Sequence, residues 1–280
     1  MAFAFSAQAQ TTVTSFAPTT NMLPKVWYEN DVRTGGVASI VDLTGVGGDL
    51  ENFQPLEIGA AKITTDNTTA AKAEVGVGDD YGAPADIFDT LAAQYSWYKE
   101  NVGAPAPAPS LKLAFFNPVC DDPASAGDCF GSLVYEVYQQ AGGNPPTTDT
   151  WAIETIDKDN GLFWWTGGFG QPNGGGGCPC RTLAEWLALF SSDFSDSSLV
   201  RVSIGVGSNN PGQVGYFDDV SISHAFGDGY NEAYDFEPAP PANTAECKDG
   251  GWSTFNKPKF RNQGDCVSFV ATGGKPRHNK

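Results

Sequence analysis

Leu199-Val-Arg-Val-Ser-Ile-Gly-Val-Gly-Ser208, followed shortly by Gly215-Tyr-Phe-Asp-Asp-Val-Ser-Ile-Ser223, sets the architecture of this chain. Val200, Val202, Ile204 and Val206 alternate with Arg201, Ser203 and Gly205, the two-residue period of a strand with one buried face. In the second segment Val220 and Ile222 share a parity with Asp218, which is therefore expected to point at the core. A carboxylate in that position is costly unless a cation or hydrogen-bond donors meet it.

The same alternation recurs along the chain. It predicts strands at Val26-Trp-Tyr-Glu29, Val37–Val41, Leu56–Thr64, Ala71–Val77, Leu91–Tyr98, Leu111–Phe116, Leu133–Tyr138, Trp151–Ile156 and Leu162–Trp165. Asp66-Asn67 is hairpin chemistry between two of them, and Ala104–Pro109 reads as a spacer inside another hairpin. One segment breaks the pattern. Thr182 with Glu185 three residues on is a capping box, and Leu183, Trp186, Leu187 and Phe190 then share one helical face. Ten to twelve strands, one short amphipathic helix and no βαβ alternation predict an all-β, two-sheet antiparallel jelly-roll sandwich.

Of 280 residues, 33 are Gly and 19 Pro, while only 18% are charged, as suits short strands joined by turns. The net charge of −17 argues against gripping a phosphate backbone, so no nucleic-acid partner is expected. That charge is uneven. From Cys247 onward seven Lys or Arg stand against Asp249 and Asp265, leaving nine basic against 31 acidic residues in the remainder. The basic tail is read as solvated, or resting on its own acidic body.

Residues 1–10 read as a signal-peptide remnant, with Ala7-Gln-Ala9 as a small-x-small cleavage site, and no stretch is apolar enough for a membrane span. Export suits six cysteines. Cys120 and Cys129 bracket a loop, and Cys247 and Cys266 bracket the C-terminal piece; a bridge within Cys178-Pro-Cys180 would be strained, and the pairing of these two stays open. The predicted organisation is a sandwich over 11–236, a Pro-rich linker over 237–246, and a small stapled element over 247–280.

Tyr216-Phe-Asp-Asp-Val-Ser-Ile222 after a glycine-rich turn resembles the last strands of secreted jelly-roll domains, the carbohydrate-binding modules and lectin-like, concanavalin-like sandwiches. The resemblance covers about two dozen residues. It implies a sugar-binding function and a structural calcium held in part by the Asp. Cys247-Lys-Asp-Gly-Gly-Trp-Ser-Thr-Phe255 with Phe260–Gly274 resembles a C-terminal element of secreted bacterial proteins, which implies export and bacterial origin but no chemistry.

Three chemistries have candidates. For calcium they are Asp218, Asp219, Asp157 and Asp159, because that ion takes several hard oxygens; acidic loops that merely face solvent are the bland alternative. For glycan stacking they are Trp27, Trp97, Tyr98, Trp164 and Trp165. Adjacent rings on a strand point to opposite faces, so each pair should have one core ring and one free to meet a ligand, with Trp164-Trp165 best placed. For catalysis Glu136 and Glu154 sit mid-strand, as in a β-sandwich glycosidase, although isolated solvent-facing carboxylates are the favoured alternative. The expected function is that of a secreted, non-catalytic protein that binds polysaccharide or a cell-surface glycan, or forms part of an extracellular surface structure, and is stabilised by calcium. The rivals are a glycoside hydrolase or polysaccharide lyase, and a structural protein forming homo-oligomers through strand edges.

Overall fold

The computed structural model describes residues 10–20, 22–119, 129–169 and 180–274. Within them run thirteen strands: β1 (Thr11–Val13), β2 (Trp27–Glu29), β3 (Gly36–Asp42), β4 (Gly59–Thr65), β5 (Ala73–Gly82), β6 (Ala92–Lys99), β7 (Ser110–Phe116), β8 (Phe130–Tyr135), β9 (Trp151–Ile156), β10 (Phe163–Gly167), β11 (Ser198–Val206), β12 (Val214–His224) and β13 (Tyr230–Phe236). They build two sheets. The six-stranded sheet has the order β10-β8-β7-β11-β5-β2 and is antiparallel throughout. In the seven-stranded sheet β12 pairs with β6 on one flank, and β6 with β9. On its other flank β12 pairs first with β4, over Val214–Phe217, and then with β13, over Val220–His224. β3 borders β4, and β1 lies parallel to β13.

One continuous apolar core fills the space between the sheets. Val75, Val77, Leu111, Leu113, Phe115, Leu133, Val202 and Ile204 enter from the six-stranded sheet, and Tyr95, Trp97, Phe217, Val220, Ile222 and Tyr234 from the other. The predicted all-β sandwich is therefore present. The hairpins are not where they were expected. β4 and β5 flank Asp66-Asn67 but belong to different sheets, and so do β6 and β7 on either side of Ala104–Pro109. Both connections cross from one sheet to the other, a route that short-range turn chemistry does not specify.

The helix predicted after Thr182 is α4 in the series α1 (Gly48–Asn52), α2 (Pro84–Ile87), α3 (Val137–Gln140), α4 (Leu183–Leu189), α5 (Ser191–Ser195) and α6 (Gln263–Ala271). Its capping box forms, with Thr182 Oγ1 accepting from Glu185 N–H and Glu185 Oε2 accepting from Thr182 N–H. Leu183, Trp186 and Phe190 are buried, and Trp165 packs on Phe190 at 4.8 Å between ring centroids. The other helices correct the expectation of one.

Cys247 and Cys266 are bonded, with Cα atoms 5.7 Å apart, and with Phe260 they centre a small apolar cluster separate from the main core. This C-terminal element rests on the outer face of the seven-stranded sheet. Lys257 pairs with Glu57 and lies 3.6 Å from Glu237 and 3.9 Å from Asp235, and Asn256 Nδ2 donates to Asp42 Oδ2 at 2.8 Å. Lys257 of the basic tail thus meets carboxylates of the acidic body. Residues 1–9, Cys120 and Cys178 lie outside the described residues, so the cleavage site and the Cys120–Cys129 pairing do too; Cys129 and Cys180 are each disulfide-bonded.

Candidate ligand-binding cleft

The outer face of the six-stranded sheet carries the residues that alternate with the core positions. Register aligns them in rows across the strands. Trp164, Val134, Lys112, Ser203, Gly76 and Tyr28 form one row from β10 to β2. On one side of it lie Thr166, Ser132, Ala114, Arg201 and Gly78. On the other, Ser110, Gly205 and Glu74 align, with Glu136 just past the end of β8. Most of these are small, and close approach explains it: a Cβ at Gly76 would stand 3.0 Å from Arg201 Cδ and from Ser203 Cβ. Small residues leave a groove of about 530 Å³ lined by Lys72, Lys112, Glu136, Tyr138 and Trp164, with the Gly207–Asn210 turn beyond β11 as one wall. That is within the usual range of ligand clefts.

Trp164 is half-buried, and its indole N–H donates to Glu136 Oε2 at 2.9 Å. Burial raises the Glu136 carboxyl, against hydrogen bonds from Trp164 and Tyr138. Deeper in the groove Glu74, 3% exposed, accepts from four donors. Asn30 Nδ2 and Ser203 Oγ reach Oε1 at 2.6 and 2.9 Å. Lys72 reaches Oε2 at 3.1 Å, and Lys112 binds the same oxygen. Burial alone pushes Glu74 up, but the two ammoniums prevail and hold it far below the usual carboxylate range. Lys72 and Lys112 move in opposite directions. Burial lowers both, but Lys72 has a second carboxylate, Asp31 at 2.6 Å, and ends raised, whereas Lys112 pairs with Glu74, is repelled by Lys72 and ends lowered.

Of the five rings proposed for stacking, the structure leaves Trp164 in a groove and buries the others. Trp27 is 1% exposed in a nest of Phe217, Tyr234 and Phe236. Trp97 and Trp165 are core residues at 2%. Tyr98 does face outward from the seven-stranded sheet, but Trp151 and Tyr216 cover it and leave 6%. None of these four can meet a ligand. Trp164 and Trp165 divide between cleft and core as alternation requires.

Glu136 and Glu154 do not share a site. Glu136 follows β8 and turns to the outer cleft. Glu154 points between the sheets at their open edge, accepts from Trp97 Nε1 at 2.9 Å and from Tyr135, and lines a second cavity of about 550 Å³ with Tyr135, Ile153 and Asp159. The two carboxyls belong to opposite faces of the six-stranded sheet and cannot flank one glycosidic bond.

Asp218 is fully buried, as expected, but on the opposite face from that expected. The register slips between Asp218 and Ser221, and Asp219 takes φ 51°. This bulge resets the alternation: Phe217, Val220 and Ile222 face the core, while Asp218 faces out beside Asp235 and Glu237. The site is the seam where β4 and β13 abut along β12. Asp218 Oδ1 takes Phe236 N–H at 3.0 Å, and Glu237 Oε1 takes the Ile58 and Gly59 amides at 3.1 and 3.2 Å. Burial, with Asp235 and Asp219 nearby, pushes Asp218 up to about 8, and its Oδ2 has no hydrogen-bond partner. Asp157 and Asp159 are elsewhere. Asp157 Oδ1 caps the Asp159 and Asn160 amides at 2.9 and 2.8 Å, and Asp159 pairs with Lys158. Among the described residues no three His, Cys, Asp or Glu side chains gather as a metal site.

Lys72, Glu74, Lys112 and Tyr138 were not singled out from sequence. Glu74 and Lys112 alternate with the core residues of β5 and β7, which signals an outward direction. That they meet follows only from β11 lying between β5 and β7.

No protein-family profile matches the chain, and no curated protein does. Among solved structures it is similar to a family 11 carbohydrate-binding module from Clostridium thermocellum in complex with a β-1,3-1,4-mixed-linked tetrasaccharide, at 11% identity and TM-score 0.38, over 76% of this chain and 96% of that one. A putative sugar-binding protein from Bacteroides thetaiotaomicron is similar at 14% identity and TM-score 0.41, over 78% and 96%. An endo-β-1,4-glucuronan lyase from Trichoderma reesei is similar at 13% identity and TM-score 0.37, over 71% and 92%.

Proposed function

We propose that this chain is a secreted, non-catalytic polysaccharide-binding protein whose ligand lies in the outer cleft of the six-stranded sheet. The observation that carries the reading is Trp164. Its half-buried ring borders a polar groove, its edge is fixed by Glu136, and hydrogen-bonding groups continue inward from it. An aromatic face of that kind stacks on the C–H groups of a sugar ring while polar neighbours take the hydroxyls. Among the described residues a hydrolytic reading has no second carboxylate beside Glu136: Glu74 lies three strands from it, about 14 Å at the backbone, and both its oxygens are engaged by protein donors. The disulfides suit an oxidising compartment, and no helix among the described residues is long and apolar enough to cross a membrane.

A structural calcium belongs to the same proposal. The bare, buried Asp218 Oδ2 is a hard oxygen donor of the type this ion takes. Asp218 would hold the ion, which would supply positive charge directly beside that carboxylate.

The deciding experiment is affinity electrophoresis against a panel of soluble plant and bacterial polysaccharides. The wild type should be retarded by at least one of them. Trp164→Ala should abolish that retardation without altering the melting temperature. Retardation unchanged in this variant would remove the cleft from the proposal, and concentration-dependent assembly with no retardation would favour a structural protein.

A further inference from the structure

Resting on the cleft reading above, we propose that the polysaccharide is anionic, a polymer bearing uronic acid carboxylates, and that Lys112 with Lys72 receives the carboxylate. The argument is one of spent and unspent hydrogen-bonding capacity. Of the two carboxylates at the groove, Glu74 is fully occupied from within the protein and Glu136 in part. Glu74 takes Asn30, Ser203, Lys72 and Lys112, and Glu136 takes Trp164 and Tyr138. The ammoniums are not used up. Each carries three N–H donors; Lys112 spends one on Glu74, and Lys72 spends two, on Glu74 and Asp31. At its Lys112 end the groove therefore presents donors carrying positive charge. Arg201 adds to this on the same face, with its Nε unpartnered and its stem over Gly76.

The placement is also uneven in charge. Outside the C-terminal element the chain has nine Lys and Arg against 31 Asp and Glu, yet four of those nine, Arg33, Lys72, Lys112 and Arg201, lie on or beside this one sheet face. Asp31, Glu74 and Glu136 lie among them, so this face is close to neutral where the rest of the body is strongly acidic, and it is the place on the sandwich where an anion meets least repulsion. From the Trp164 strand to the Lys112 strand is two strand spacings, about 10 Å. This exceeds one pyranose ring, so stacking and charge recognition fall on neighbouring units of a chain.

The test uses the full-length protein, isothermal titration calorimetry and three probes: polygalacturonate, its fully methyl-esterified form, and a neutral mixed-linked β-glucan. The expected result is binding of polygalacturonate at least tenfold tighter than of the ester or the glucan, weakening severalfold between 50 and about 200 mM NaCl, as charge-dependent binding does. Lys112→Met should remove most of that preference. Since this variant leaves Glu74 buried without one of its ammoniums, the double variant Lys112→Met/Glu74→Gln serves as the folded control and should show the same loss. Equal, salt-insensitive affinity for acid, ester and glucan, unchanged in the double variant, would overturn the charge inference and leave polysaccharide binding standing. No binding of any glycan, in this experiment and across the electrophoresis panel, would sink both.

Discussion

At the scale of single residues the cleft separates side chains that hold the fold from side chains that face a ligand. Trp164 and Trp165 are neighbours in sequence with opposite duties. Trp165→Ala removes a ring that packs on Phe115, Phe169 and Phe190 and should cost about 3–5 kcal/mol, read as a large drop in melting temperature. Trp164→Ala should leave stability nearly unchanged and lower glycan affinity by about 2 kcal/mol, some thirtyfold. The buried Glu74 network has the reverse signature. Lys112→Met should destabilise by about 3 kcal/mol, because a buried carboxylate loses a charged partner, and urea titration of the Lys112→Met/Glu74→Gln pair should recover much of it.

At the scale of elements, α4 and eleven of the thirteen described strands, all but β1 and β13, were legible in the sequence, since alternation and a capping box are local signals. Trp151–Ile156 was bounded correctly from pattern alone. The direction of Asp218 was not, because one residue with positive φ, Asp219, shifts the parity of all that follows, and nothing in Phe-Asp-Asp-Val announces a bulge. That bulge gives a pH prediction. The folded carboxyl of Asp218 is raised above its unfolded value, so it favours the fold fully below about pH 4, and this contribution is lost as pH rises through about 8. In chelator, thermal stability should fall across that interval. Added calcium should reverse the fall and stabilise more at pH 8 than at pH 5, because ion and proton compete for Asp218. Melting curves that superimpose with and without calcium at pH 8 would remove the ion. At α4, Thr182→Ala should cost about 1 kcal/mol, measured by urea titration.

At the scale of the whole molecule, what could not be read was which strands share a sheet. Successive strands β2 and β3, β4 and β5, β6 and β7, and β11 and β12 all change sheets, so residues distant in sequence meet at the cleft while residues adjacent in sequence part. The charge asymmetry was legible, and its use became visible only with Lys257 over Glu57, Asp235 and Glu237. The C-terminal element has its own small cluster, closed by a disulfide across 19 residues. Replacing this disulfide alone, as Cys247→Ala/Cys266→Ala, should unfold the element and leave the sandwich intact, seen as a lost minor transition in calorimetry with the main one retained; loss of the main transition would show that the element is part of the sandwich fold.

The C-terminal element occupies the back of the seven-stranded sheet, and the groove opens on the front of the other. A resin, dye or sensor chip coupled through Lys257 or its neighbours in this element would therefore hold the molecule with its groove turned toward solution. Long polymers could then thread past Trp164 without meeting the support.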